Sequence, residues 1–202
     1  MKKMQGYRIT KLSANDDMEL YNDLYVKNGG DQAIPLEWMQ RSKVFAIYHG
    51  AQMVGGYVEC CPPIRSTKDI PDEIRQSLLE RHCGDLQNVQ ENAAFWIKRD
   101  AKDKALLQAF AWATIVWRSV FCTKCTYTLG VANRKGITNL YKFFCGKIIY
   151  KAPSKLIPGE TYHVFLWSKT QLLSVGGKIL IRFIKAKFNR VIGSIGLHPF
   201  SK

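Results

Sequence analysis

A tyrosine, an asparagine, two carboxylates and a scatter of histidines and thiols are the side chains whose types could take part in chemistry. Tyr141 lies in Asn139-Leu140-Tyr141-Lys-Phe-Phe-Cys-Gly146, and Asn133 closes the run Cys125-Thr-Tyr-Thr-Leu-Gly-Val-Ala-Asn133. The run reads as a short buried strand that turns on Asn133 and becomes a helix from Arg134 to Tyr150. That arrangement sets polar groups at the C-terminal edge of a sheet, where α/β proteins build sites. Glu59 ends one predicted strand and Glu91 precedes another. His49 at a hairpin tip and His82 at a helix end read as exposed, and His163 reads as a core residue on a strand. Cys60-Cys61 could suggest covalent chemistry, but no histidine partner is visible for it. Cys122-Thr-Lys-Cys125 has zinc-ribbon spacing without a second such pair, so no metal is expected.

These residues must be held by elements that the hydrophobic pattern outlines. Tyr7 to Leu12 alternates as a half-buried strand. Met18, Tyr21, Leu24 and Tyr25 share a helix face that ends at Asn28-Gly29-Gly30. Leu36 to Gln40 is a short helix after Pro35. Val44–Tyr48, a turn at His49-Gly50-Ala51 and Gln52–Glu59 form a hairpin, in which Gly55-Gly56 marks a bulge or a close approach. A helix follows Pro71 and runs to Glu80, and residues 85–91 read as a polar loop. Asn92–Ile97 is a short central strand. The charged turn Lys98–Lys104 leads into a long helix from Ala105 to about Val120. After the strand and helix that carry Asn133 and Tyr141, residues 151–159 read as a loop and Glu160–Trp167 as a strand. Two strand–helix–strand connections in the second half imply a mixed sheet.

The composition is globular, with 47% hydrophobic and 23% charged residues. The net charge of +14 is placed unevenly. Residues 1–119 hold 16 Lys and Arg against 15 Asp and Glu, whereas residues 120–202 hold 14 against one, Glu160. So one-sided a field suits polyanions such as phosphates, acidic carrier proteins, nucleic acid or anionic lipid. The opening residues run into no apolar segment and no stretch is long enough to span a bilayer, so a cytoplasmic chain with reduced thiols is expected, with peripheral attachment at the membrane as an option. From 169 to 202 the sequence reads as a basic amphipathic helix and tail appended to a domain of residues 1–168. Lys178, Arg182, Lys185 and Asn189 fall on one side of it, and Leu172, Val175, Ile179, Phe183 and Ile184 on the other.

The element order from Tyr7 to Trp167 resembles that of the GNAT superfamily of N-acyltransferases. Tyr7-Arg-Ile-Thr-Lys-Leu-Ser-Ala-Asn-Asp-Asp17 resembles its opening strand and helix start. The hairpin Val44-Phe-Ala-Ile-Tyr-His-Gly-Ala-Gln-Met-Val-Gly-Gly-Tyr-Val58, with its Met-Val-Gly-Gly run, resembles its second and third strands. Asn133…Asn139-Leu140-Tyr141…Gly146 resembles its late Asn, Leu-Tyr and Gly pattern, with the spacings from Asn to Tyr and from Tyr to Gly each one residue longer. One segment departs. Where the family has an Arg/Gln-x-x-Gly-x-Gly/Ala loop for the coenzyme A pyrophosphate, this chain has Lys98-Arg99-Asp100-Ala101-Lys102-Asp103-Lys104, without glycine.

The resemblance implies an α/β (α+β) fold: a mixed central sheet of about six strands, helices on both faces, and the basic C-terminal helix in addition. It implies an enzyme that transfers an acyl group from a thioester, acyl-CoA or an acyl-phosphopantetheine on an acidic acyl carrier protein, to a small amine by direct attack. The carrier-protein branch that makes N-acyl amino acids and acyl-homoserine lactones is included. By the same resemblance a backbone N–H near Trp96 and Ile97 receives the oxyanion, and Tyr141 protonates the thiolate. Asn133 orients the donor, and Lys98, Arg99, Lys102 and Lys104 supply charge for its phosphate. Glu59 and Glu91 are the candidate bases. The alternative is a catalytically inactive GNAT-like fold serving as a basic membrane- or nucleic-acid-binding module. Nucleic acid is the less favoured of those partners, because the aromatic residues among the lysines are of a kind that helices bury.

Overall fold

The computed structural model describes residues 6–178, apart from 31, 63 and 102, together with residue 181. Among the described residues seven strands form one sheet in the order β1-β2-β3-β4-β5-β7-β6. The strands are β1 (Tyr7–Lys11), β2 (Lys43–His49), β3 (Gln52–Cys60), β4 (Val89–Ile97), β5 (Tyr127–Ala132), β6 (Lys147–Pro153) and β7 (Thr161–Ser168). The helices are α1 (Asn15–Lys27), α2 (Leu36–Gln40), α3 (Asp72–Cys83), α4 (Lys104–Phe121), α5 (Lys135–Phe143) and α6 (169–178). All neighbouring strands are antiparallel except β4 and β5, which are parallel and joined by α4.

Both faces of the sheet are covered, which is why β2 and β3 read as nearly continuous apolar runs. Val44 and Ala46 point to the face taken by α1 and α2, where Met18, Tyr21, Met39 and Trp96 pack. Phe45 and Ile47 point to the other face, against Leu107, Ala111 and Ile115 of α4. On the far side of the sheet α3 contributes Leu79 and Cys83 to a cluster with Leu129, Val164 and Leu166. On the opposite face, to which Phe165 and Trp167 of β7 point, α5 and α6 join α4 through Tyr141, Phe144, Leu172, Val175, Val116 and Val120. The first ten residues of the expected basic tail helix therefore begin by packing on the sheet. Residues 182–202, with Arg182, Lys185 and Asn189, lie outside the described residues.

Two expectations are corrected. β4 begins at Val89, inside the stretch read as a polar loop, because Gln90 and Glu91 are buried polar residues rather than solvated ones. Gln90 donates to Ser119 Oγ at 2.6 Å. The second correction adds a strand. α5 stops at Phe143 instead of continuing to Tyr150, because Cys145 adopts a left-handed φ of 56° and Gly146 N–H returns to Tyr141 O at 3.0 Å. The freed segment becomes β6, an edge strand whose Lys147 and Lys151 suit an unpaired border.

Gly55 and Gly56 are places of close approach. A Cβ on Gly56 would lie 2.4 Å from Phe45 O and 2.5 Å from the Tyr21 ring. The strand opposite them bulges. Gly56 pairs with Trp96 but Val58 pairs with Ala93, so Ala94 and Phe95 together oppose Tyr57. Ala94 takes φ 50°, and its carbonyl accepts from Tyr21 Oη at 2.7 Å.

Candidate active site

The bulge determines the site. β4 and β5 pair only at Val89–Tyr127, Gln90–Thr128 and Glu91–Leu129. Beyond Glu91 the bulge turns β4 away, and the two facing strand edges make no ladder bonds. The gap opens into a cleft of about 430 Å³.

Its walls divide into three regions. At one end are Asn28 and Gly29, from the end of α1, with Arg99, Lys104 and Arg134. Arg99 N–H donates to Asn28 Oδ1 at 3.0 Å. Gly29 has φ 107°, and the position of a Cβ on it would be 2.9 Å from Arg99 Nη2 and 3.8 Å from Arg134 Nη1. The two guanidinium groups thus converge on one spot beside a bare backbone, an arrangement suited to a phosphate.

In the middle are the bulged residues Ala94 to Ile97, facing Val131, Ala132 and Asn133. Lys98 N–H donates to Val54 O across the β3 edge at 2.9 Å. Strand alternation turns the preceding N–H, that of Ile97, toward the gap. Asn133 Oδ1 and Asn92 Oδ1 are buried and accept no hydrogen bond among the described residues. Orphaned acceptors of that kind ask for a donor, and both line the cleft.

The third region holds Tyr141, Glu91, Arg65, Asp69 and Tyr162. Tyr141 is buried and stands edge-on to Trp112, Phe165 and Trp167, with ring centroids 5.8, 5.3 and 5.0 Å away. Its ring is pressed against Gly130, where a Cβ would come within 3.1 Å. Burial first, and then the negative charge of Glu91, push the Tyr141 phenol above its ordinary range, so it remains protonated. Glu91 is 1% exposed and accepts from Arg65 N–H at 2.9 Å and from the Cys60 thiol at 3.4 Å. Burial, then Asp69 and Glu91, also raise Tyr162.

Of the residues expected from sequence, Trp96, Ile97, Arg99, Lys104, Asn133, Tyr141 and Glu91 come together along this cleft. Glu59 does not. Its two carboxylate oxygens accept from Arg118 Nε at 2.7 Å and Nη2 at 3.1 Å, which occupies the group as a structural ion pair under α4. Lys98 turns its ammonium to Asp100 at 3.6 Å and is not on the cleft wall. Lys102 lies outside the described residues. His163 packs on a strand beside Phe165, as expected of a core residue. Asn92, Arg65, Asp69, Arg134 and Gly29 were missed as site residues. Only Gly29 carried a usable signal, as the glycine of a helix end. Among the described residues no helix is long and apolar enough to cross a membrane, and no cluster of three metal-ligating side chains occurs.

No family model and no curated protein sequence matches this chain. Solved structures do. FeeM, an N-acyl amino acid synthase from uncultured soil microbes, aligns over 84% of this chain and 93% of its own, with a TM-score of 0.65 at 13% identity. NAA60 of Arabidopsis thaliana in complex with acetyl-CoA aligns over 82% and 99%, with a TM-score of 0.59 at 9% identity. An N-acetyltransferase from Staphylococcus aureus Mu50 aligns over 81% and 99%, with a TM-score of 0.53 at 11% identity. The chain has the fold of the GNAT acyltransferases.

Proposed function

We propose that this protein is an N-acyltransferase that moves an acyl group from a phosphopantetheine thioester to the amine of a small acceptor. The observation that carries the reading is the gap between β4 and β5, walled by unpaired strand edges and by the orphaned amide oxygens of Asn92 and Asn133. A pantetheine arm has amide N–H groups at spacings that suit an added strand, and these oxygens are ready acceptors for them. Arg99, Arg134 and Lys104 supply by charge what a glycine-rich loop supplies by backbone N–H groups. Coenzyme A and a carrier-protein arm share that chemistry. NAA60, which shares the fold, binds acetyl-CoA, and the net charge of +13 over residues 120–202 favours an acidic carrier as well.

The arm brings the thioester carbonyl to the Ile97 N–H, which takes the charge developing on oxygen. Glu91 receives the proton of the attacking amine, directly or through one water. Tyr141, held protonated, donates to the departing sulfur. Arg65 and Asp69 have no ion-pair partner among the described residues and border Glu91. One cation and one anion suit an acceptor bearing both a carboxylate and an ammonium group, and FeeM is an N-acyl amino acid synthase. The reading is tested by calorimetric titration with coenzyme A, acyl-CoAs and a holo-acyl carrier protein. At least one binds, and Asn92→Ala and Asn133→Ala weaken it. If none binds, the reading fails.

A second reading has its own observation. Trp117 and Phe121, 60% and 59% exposed with rings 4.5 Å apart, stand on the outer face of α4 in a strongly basic molecule. That suits peripheral contact with an anionic membrane. Co-sedimentation with phosphatidylserine vesicles that is lost in a Trp117→Ser/Phe121→Ser variant would support it, and equal sedimentation of both proteins would exclude this face.

A further inference from the structure

We propose that Cys61 and Cys125 form a reversible disulfide, a modification site that takes a low-molecular-weight disulfide as its oxidising reagent. The two sulfurs are already 3.8 Å apart, although 64 residues separate them in sequence. Cys61 is exposed and follows the last residue of β3, whereas Cys125 is buried just before β5. Cys122 is exposed three residues before Cys125 and has the more familiar spacing. The fold nevertheless places Cys61, not Cys122, against the Cys125 sulfur.

The exchange balances. The Cys61 thiolate attacks one sulfur of the reagent and expels a thiol. Cys125 then attacks the Cys61 sulfur of the mixed disulfide and expels the second thiol. The protein loses two electrons and two protons, and the reagent is reduced to two thiols. Burial, then the neighbouring Cys125, push the Cys61 thiol up, so the reaction speeds up as pH rises.

A bonded pair needs the sulfurs at about 2.05 Å, so the gap shortens by roughly 1.8 Å. Cys61 is exposed and lies just past the end of β3, so its side chain is free to turn toward Cys125. Its neighbours Cys60 and Arg65 hold the acceptor end of the cleft. Cys60 and the Arg65 N–H both donate to Glu91 Oε2, at 3.4 and 2.9 Å. The bond would tie β3 to β5 across β4 at the closed end of the gap. The effect on Glu91 rests on the transferase reading, whereas the disulfide itself does not.

The test is incubation with oxidised glutathione, thiol titration and peptide mapping without reduction. The expected result is loss of two thiols, a Cys61–Cys125 cross-linked peptide and full reversal by dithiothreitol. Cys61→Ser, an exposed position, loses the cross-link, and Cys122→Ser keeps it. A Cys122–Cys125 cross-link, a glutathione adduct on Cys61 that never closes, or no loss of thiols overturns the proposal. In the transfer assay the oxidised protein shows an altered KM for the amine with an unchanged KM for the thioester. An unchanged amine KM in a protein mapped as oxidised rejects the coupling to Glu91 and leaves the transferase reading standing.

Discussion

Tyr141 has no hydrogen-bond partner among the described residues, yet it is buried on a cleft wall and protonated. Packing alone would be served as well by phenylalanine, because its ring contacts do not use the hydroxyl. Tyr141→Phe should therefore leave the melting temperature nearly unchanged and lower kcat about 100-fold, as loss of a general acid does. A drop in stability with intact turnover would return Tyr141 to the core. Glu59 gives the opposite expectation. Its pairing with Arg118 is bidentate, and the guanidinium also lies 4.0 Å over the Phe45 ring. Arg118→Ala leaves a buried carboxylate uncompensated, and urea unfolding should show a loss of about 3 kcal/mol. Sequence could place Asn133 and Tyr141 together because both sit in one local strand-to-helix pattern, Asn133 after β5 and Tyr141 in α5. It could not separate Glu91 from Glu59. Both are strand carboxylates, and what distinguishes them is which one Arg118 reaches across from α4.

At the scale of elements, the bulge in β4 is the device that makes a cleft out of a sheet. Tyr21 from α1 fixes it through the Ala94 carbonyl, 73 residues away in sequence. Tyr21→Phe should keep the fold, cost about 1 kcal/mol in urea unfolding, and raise the KM for the thioester more than it lowers kcat. An equal effect on both substrates would argue against the bulge as a donor support. The hairpin, α1, α4 and β7 were legible because their apolar periodicity is local. β6 and the start of β4 were not. β6 exists because α5 ends in a left-handed Cys145, a residue type that does not announce such a turn. Of the first three residues of β4, Val89, Gln90 and Glu91, all are buried but two are polar, so a hydrophobic pattern assigns the stretch to solvent. Those three residues are the ones that pair with β5, and without them the splayed gap cannot be derived from sequence.

Over the whole molecule, four buried tyrosines set the response to alkali. Tyr21, Tyr57, Tyr141 and Tyr162 all have phenols raised above the ordinary 10.0, chiefly by burial. The folded state holds these protons more tightly than the unfolded chain does. The stability they contribute is complete below about pH 10 and is lost as pH rises from there toward their folded values. The thiols of Cys60 and Cys83 are raised by burial in the same way from a lower starting value, so urea midpoints should begin to fall at about pH 9 and fall more steeply above about pH 10. The lopsided charge acts at the same scale. Arg99→Ala should raise the KM for a phosphate-bearing thioester about tenfold at low salt, and less as salt is added. Acyl transfer from a thioester to an amine in the β4–β5 cleft can be followed by thiol release. Wild-type protein is mixed with acyl-CoA or acyl-carrier protein, with and without a panel of amino acids. Release should require an amino acid, yield the N-acyl product by mass, and nearly disappear in Tyr141→Phe. Release at the same rate without any amine, or no release from either donor, would contradict it.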